Sequence, residues 1–269
     1  MNTQLDNTCG PLLEIRNVDK YFNKRGQAIP VLKDITFDIS PGECVGMVGA
    51  SGSGKSTLAR LLCRIHRQEK GRVCFKGEDI FTLSPKAYFS QVQMVFQDPL
   101  ASFPPRMKVE HYLLEPFRNF KQMRGRRPKA LAVELLERVG LDAGALSRYP
   151  NQLSGGQLQR IVFARAIGLN PSLVICDEAT SALDATIQAQ VITLFQRLRK
   201  DIGFASLFIT HDLALAELLC DTIHVMDDGA IVETLTSGNI SKEACHPATL
   251  SMIRASCGLS MATGMAVNR

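Results

Sequence analysis

At 269 residues and 45% hydrophobic content, the chain is long enough to bury a substantial core and to carry a smaller domain inserted in a main one. A formal net charge of +5 is too modest to indicate a nucleic-acid partner, and no apolar run approaches the length that crosses a bilayer. Any membrane association is therefore expected to come through partners. The start, Met1-Asn2-Thr3-Gln4-Leu5-Asp6, has neither a basic region nor an apolar segment and does not read as a secretory signal.

In chain order, residues 12–18 and 35–40 alternate apolar and polar positions, as antiparallel strands with one solvated face do. Residues 43–48 read as a short buried strand. Directly after it, Gly49-Ala50-Ser51-Gly52-Ser53-Gly54-Lys55-Ser56 fits G-x-x-x-x-G-K-[ST] without a mismatch and is followed by Thr57. A helix is predicted over 56–65, with Leu58, Leu61, Leu62 and Ile65 on one side. Strand, glycine loop and helix start in this order turn backbone N–H groups toward phosphate oxygens and add the helix dipole. Lys55 is suited to the β- and γ-phosphates of a nucleoside triphosphate, and Ser56 to Mg²⁺.

Farther on, the apolar strand 92–96 ends at Gln97, whose amide could reach the metal or a water. The period then becomes helical over 109–117 and 129–139, interrupted by the basic run 121–129, which reads as a solvated loop. Tyr149-Pro150-Asn151-Gln152 breaks the pattern just before Leu153-Ser154-Gly155-Gly156-Gln157. Ser154 is predicted to cap a helix from there to Ile167, and the N–H groups of Gly155 and Gly156 make a second anion-binding helix start. Two half-sites for one nucleotide imply two chains.

Leu173-Val174-Ile175-Cys176-Asp177-Glu178 is a strand buried on both faces with two carboxylates at its C-terminal end, where open α/β sheets bind ligands. Asp177 is suited to Mg²⁺ and Glu178 to polarising an attacking water. A helix is predicted over 185–199, and His211 follows the buried strand 205–210, within reach of the γ-phosphate or the water. From about Ser241 the pattern weakens toward short helices or a partly mobile tail. Eight cysteines (Cys9, Cys44, Cys63, Cys74, Cys176, Cys220, Cys245 and Cys257) form no C-x-x-C pair and read as reduced core residues; Cys245-His246 is not read as a metal site. The whole reads as an α/β core interrupted by a helical subdomain.

The ordered set of residues 49–56, Gln97, residues 153–157, Asp177-Glu178, Ser181-Ala182-Leu183-Asp184 and His211 resembles the nucleotide-binding subunits of ABC transporters over about 12–233. That resemblance implies an ATPase with ATP and Mg²⁺ as cofactors. Its expected fold is α/β: a RecA-like P-loop core with an N-terminal antiparallel β-subdomain and an inserted α-helical subdomain. The core is expected over about 10–97 and 171–240 and the helical part over about 98–170, within an ATPase domain at 1–245 followed by a short tail at 246–269. It further implies a head-to-tail dimer in which one subunit's signature closes over ATP on the other's P-loop. Asp184 would carry the subunit contact, and Phe22, with Tyr21 as runner-up, would stack on adenine. Gln97 would couple the γ-phosphate to the angle of the helical subdomain, and residues 98–107 would meet a short helix of a membrane subunit.

More closely, residues 96–102, Pro105-Arg106-Met107 and Ala182-Leu183-Asp184 continuing to Ile187-Gln188-Ala189-Gln190 are similar to ATPases of oligopeptide, dipeptide and nickel importers, the shorter second subunit in particular. Phe103-Pro104 departs from the Leu-Asn of many relatives. The chain stops at Arg269, soon after His246-Pro247, which favours nickel or a metal chelate over peptide as cargo. The implied partners are a second ATPase subunit, two membrane-spanning permease subunits and an extracytoplasmic substrate-binding protein, with the chain peripheral on the cytoplasmic face of the inner membrane. A soluble ATPase of the same family acting on nucleic acid or ribosomes would share this site chemistry.

Overall fold

The computed structural model describes residues 10–264 apart from 25, 124 and 182, so Met1 to Asp6, Cys9 and Ala182 lie outside the described residues, as does the side chain of Cys257. Strands β1 (Leu13–Lys24) and β2 (Gln27–Ile39) form a hairpin, and β3 (Cys44–Gly49) leads through the glycine loop into α1 (Lys55–Leu62). Next come β4 (Lys70–Phe75), β5 (Glu78–Asp79), α2 (Pro85–Phe89) and β6 (Val92–Val95). A helical block follows, made of α3 (Pro99–Ser102), α4 (Val109–Asn119), α5 (Pro128–Arg138) and α6 (Gly155–Ile167). The chain then alternates through β7 (Leu173–Asp177), α7 (Ala185–Ile202), β8 (Ala205–Thr210), α8 (Leu213–Leu219), β9 (Thr222–Asp227) and β10 (Ala230–Thr236). It finishes with α9 (Ile240–Glu243) and α10 (Pro247–Gly264).

Two sheets result. An antiparallel one has the order β2-β1-β4-β5, and a larger one has the order β10-β9-β3-β8-β7-β6. In the larger sheet all neighbours are parallel except β10 against β9. Alternation along its strands divides the interior into two layers. Leu173 and Ile175 of β7 join Val45 and Met47 of β3, α1 and the antiparallel sheet, whereas Val174 and Cys176 join Cys44, Val48 and the helices α4 to α8. Apolar residues on both faces are what a parallel sheet covered on both sides requires. Each fully buried Leu or Ile contributes about 1.5–3 kcal/mol. The α/β class, the antiparallel β-subdomain and the inserted helices all agree with expectation.

Several boundaries differ. The hairpin runs well past residue 18 and starts before residue 35, because its tip is solvated on both sides and carries no alternation. Helix α1 stops at Leu62: Arg64 turns into the left-handed region at φ 56, and Ile65, expected on the buried side, is 58% exposed. The C-terminal segment contains one 18-residue helix, α10, where only short helices or a tail were expected; Pro247 opens it. Among the cysteines, Cys44, Cys176 and Cys220 are buried, but Cys245 is exposed and is not a core residue. Its N–H and that of His246 both donate to Glu233. Phe103, at the departure from many relatives, is buried against Tyr112 with ring centroids 3.9 Å apart, anchoring the loop between α3 and α4.

Candidate active site

Four adjacent parallel strands end at the same edge of the larger sheet, and each delivers one element of the site there: β3 the glycine loop, β8 His211, β7 the acidic pair and β6 Gln97. Brought together in this way are residues more than a hundred positions apart in sequence.

The glycine loop is held tightly. Lys55, only 5% exposed, donates from Nζ to the carbonyls of Gly49 and Ala50, both at 2.8 Å, and to Ser53 Oγ at 3.2 Å. Its pKa is lowered, chiefly by burial, against the opposing pull of Glu178 and Asp177. Gly54, the residue before α1, has φ 107, and a Cβ there would lie 2.7 Å from the carbonyl of Val31. No other residue satisfies both constraints. Ala50, Ser51 and Gly52 are exposed at the loop's crest, and Thr57 is half-buried on the first turn of α1.

Asp177 is 9% exposed, and its Oδ1 accepts from Ser56 Oγ at 3.2 Å. Burial raises its pKa despite that hydrogen bond, with Glu178 adding to the rise. A buried carboxylate beside a hydroxyl, both at a loop that presents N–H groups, is a hard-oxygen donor set suited to Mg²⁺. Next to it Glu178 adopts φ 49, in the left-handed region that bulky residues avoid. Its N–H donates to the carbonyl of Ile209 on β8 at 3.0 Å, which holds this backbone turn. Strain of this kind collects at functional sites. His211 Nδ1 lies 3.6 Å from Glu178 Oε1, and the imidazole is 59% exposed. That separation is too long for a direct hydrogen bond.

Gln97 is exposed, and the hydrogen bond it makes, 3.4 Å to Ser181 Oγ, is not to the Ser56–Asp177 pair. Ser181 in turn donates to the Glu178 carbonyl at 3.0 Å, so one serine joins Gln97 to the backbone of Glu178. This linking role was not read from the sequence, although a serine three residues after an acid is a turn signal.

At the start of α6, Ser154 Oγ accepts from Gln157 N at 3.3 Å, while the Gln157 side chain accepts from Ser154 N at 3.1 Å. This reciprocal capping uses the N–H groups of Ser154 and Gln157, and the helix start is exposed at Ser154 and Gly155 while Gly156 is buried. A Cβ on Gly156 would lie 2.6 Å from Ile187 Cγ2, so α6 and α7 approach closely here. Asp184 caps α7 through Ile187 N at 3.0 Å and is itself exposed.

Phe22 is 37% exposed on β1, and His66 stands edge-on to it with ring centroids 5.1 Å apart. Lys20 Nζ lies 5.3 Å from the same ring. Nothing in the sequence pairs residue 22 with residue 66. Tyr21 is half-buried and bonds through its hydroxyl to Asp19 at 3.2 Å.

Residues 32–181 match the family described as ABC transporter. The chain is 42% identical over 248 residues to YkfD of Bacillus subtilis strain 168, named for oligopeptide transport, covering 90% of this chain and 75% of that protein. It is 41% identical over 249 residues to the oligopeptide transport ATP-binding protein OppF of Streptococcus mutans serotype c, covering 91% and 81%. Among solved structures, a dimeric ATP-binding cassette in a post-hydrolysis state with ADP and Pi aligns with a TM-score of 0.74 at 27% identity, covering 83% of this chain and 98% of that one. The chain thus belongs to the ABC transporter family and is an ATP-hydrolysing cassette.

Proposed function

We propose that the chain is the ATP-hydrolysing subunit of a peptide importer and acts as half of a head-to-tail pair on the cytoplasmic face of the cell membrane. The observation that carries this reading is the contrast between a complete P-loop side, with Lys55 and Asp177 buried around it, and a helix start exposed at Ser154 and Gly155. Residues 49–57 bind the triphosphate, and Lys55 exchanges the carbonyls of Gly49 and Ala50 for β- and γ-phosphate oxygens. Ser56, Asp177 and Gln97 would hold Mg²⁺, which neutralises charge on the phosphates when bound. Glu178 takes the proton of the attacking water, and His211 orients that water or the γ-phosphate. Phe22 stacks on adenine. Ser154, Gly155, Gly156 and Gln157 close over the neighbour's ATP, with Asp184 at the subunit contact.

We assign the core to about 10–97 and 171–240 and the helical subdomain to about 98–170. Between them lies a cleft of about 480 Å³ lined by Ile65, Phe89, Met94, Phe96, Tyr112 and Phe120 among others. Apolar residues on both walls suit a short helix from a permease subunit. No helix among the described residues is long and apolar enough to cross a membrane. The remaining partners on this reading are a second ATPase subunit, two permeases and an extracytoplasmic binding protein.

For the cargo, the names of the relatives that match over nine-tenths of this chain favour peptide. Nickel or a metal chelate, favoured above on the C-terminal ending alone, gains nothing from those relatives. Reconstitution with the neighbouring permeases and binding protein tests the reading: short peptides should stimulate ATP hydrolysis and nickel should not. Stimulation by nickel alone would reverse the cargo, and co-purification with ribosomes or nucleic acid without permeases would overturn the importer.

A further inference from the structure

The sheet end opposite the nucleotide site holds two thiols that ATP chemistry does not use. Cys44 opens β3, and Cys220 ends α8; their Sγ atoms lie 3.6 Å apart, at 0% and 4% residue exposure. The backbone holds them in register. Cys44 N donates to Asp221 Oδ2 at 2.8 Å, and Asp221 N donates to the Cys44 carbonyl at 2.7 Å. Arg199 fixes the Asp221 carboxylate from the side. Space for Cys220 comes from Gly46, two residues after Cys44 and so on the same face of β3. A Cβ at position 46 would stand 3.0 Å from the Cys220 sulfur. Cys220 also lines a cavity of about 490 Å³ together with Gly42, Arg199, Lys200, Leu219 and Asp221. Cys220 therefore borders a cavity that a small reactant can enter, and the Cys44 sulfur lies 3.6 Å from its own.

We infer that Cys44 and Cys220 are an oxidant-sensitive pair, which a hydroperoxide entering this cavity closes into a disulfide that latches α8 to β3. The Cys220 sulfur takes the terminal oxygen of the hydroperoxide: an S–O bond forms, the O–O bond breaks, and the thiol becomes a sulfenic acid as the reduced peroxide leaves as water or alcohol. The Cys44 sulfur then attacks the Cys220 sulfur, the S–O bond breaks, and the hydroxide departs as water with the Cys44 proton. Two thiols are oxidised by two electrons and one peroxide is reduced. An S–S bond is about 2.05 Å long, so the sulfurs, 3.6 Å apart, must approach by roughly 1.5 Å to bond. The loop closed by the bond, 44 to 220, contains the glycine loop, Gln97, the signature, the acidic pair and His211. Cross-linking so long a loop restricts the unfolded chain strongly.

The test uses the full chain, reduced and then treated with hydrogen peroxide, with free thiols blocked before peptide mapping. The expected result is a Cys44–Cys220 linked peptide and a rise in melting temperature of about 10 °C, reversed by dithiothreitol. Cys44→Ser and Cys220→Ser should each abolish both. In Gly46→Ala, where the new methyl crowds the Cys220 sulfur, linkage should slow several-fold while ATP hydrolysis under reducing conditions persists. Oxidation confined to the exposed Cys245, over-oxidation of Cys220 without linkage, or linkage at the wild-type rate in Gly46→Ala would overturn the inference. So would a linked protein whose melting temperature does not move.

Discussion

The P-loop at residues 49–56 and the signature start at residues 154–157 are both glycine-rich helix starts, but their surroundings are opposite. Around the first, Lys55 and Ser53 are buried, and every donor of the lysine is engaged by its own loop. Around the second, Ser154 and Gly155 face solvent, and the only buried member, Gly156, is glycine because Ile187 presses on it. The first half-site is part of the core that folds it. The second is held in shape by the core but faces solvent at Ser154 and Gly155.

The strongest way to break this comparison is Glu178→Gln. If the acidic pair serves the P-loop half, turnover should fall by about 10²–10⁴-fold while ATP binding persists and a closed dimer accumulates; phosphate release and size-exclusion chromatography with ATP measure both. Ser154→Arg probes the other half. Monomer ATP affinity should be unchanged, ATP-dependent dimerisation should disappear, and turnover should fall by about 10²-fold, the scale of removing one electrostatic contact from the transition state. Loss of ATP binding by the monomer would show that the two half-sites are not separable in this way.

Acid should reach the P-loop half through its supporting sheet. His224 on β9 is 7% exposed, and burial lowers its pKa to about 4. It lies two residues before Met226 on the same strand, and the Met226 carbonyl would stand 2.2 Å from a Cβ on Gly49. Between about pH 6.5 and 4 the unfolded chain binds this proton and the folded one does not, so stability is full at neutral pH and falls with acid, by roughly 3 kcal/mol in all. Urea unfolding at pH 7 and pH 4.5 should reveal this loss, and His224→Gln should flatten it.

Two smaller effects sharpen the contrast. Gly156→Ala forces a methyl against Ile187 and should cost about 1–3 kcal/mol in unfolding free energy, most of it recovered by adding Ile187→Ala. Phe22→Ala should weaken ATP binding by about tenfold, within the 1–3 kcal/mol of base–aromatic stacking, and leave ATP-dependent dimerisation at saturating nucleotide intact. Fluorescent nucleotide titration separates that outcome from the effect of Ser154→Arg.

What was legible in the sequence was what depends on near neighbours. The Ser154 cap reaches only three residues along the chain, and the strands 173–177 and 205–210 are short, mainly apolar and buried throughout; all agree with the structure to within a residue. Ile65 misled because its helical spacing continues past Leu62, whereas the chain has already turned at Arg64. Ser181 between Gln97 and Glu178, and His66 against Phe22, were out of reach for another reason. Their partners are separated by 84 and 44 positions, and no periodicity links residues that meet only after the sheets form.

From sequence alone came the kinds of chemistry present and their local frames: a phosphate loop, two carboxylates at a strand end, a capped glycine-rich helix start. Spacing within one strand or one helical turn determines these, because backbone geometry over such distances is nearly fixed. Only the tertiary structure decided that β3, β8, β7 and β6 lie side by side, that Glu178 occupies a strained turn held by Ile209, and that Cys44 faces Cys220 across the space Gly46 leaves. Strand order and the contacts between layers arise from burying both faces of one sheet at once, a condition on the whole chain that no local stretch of it contains.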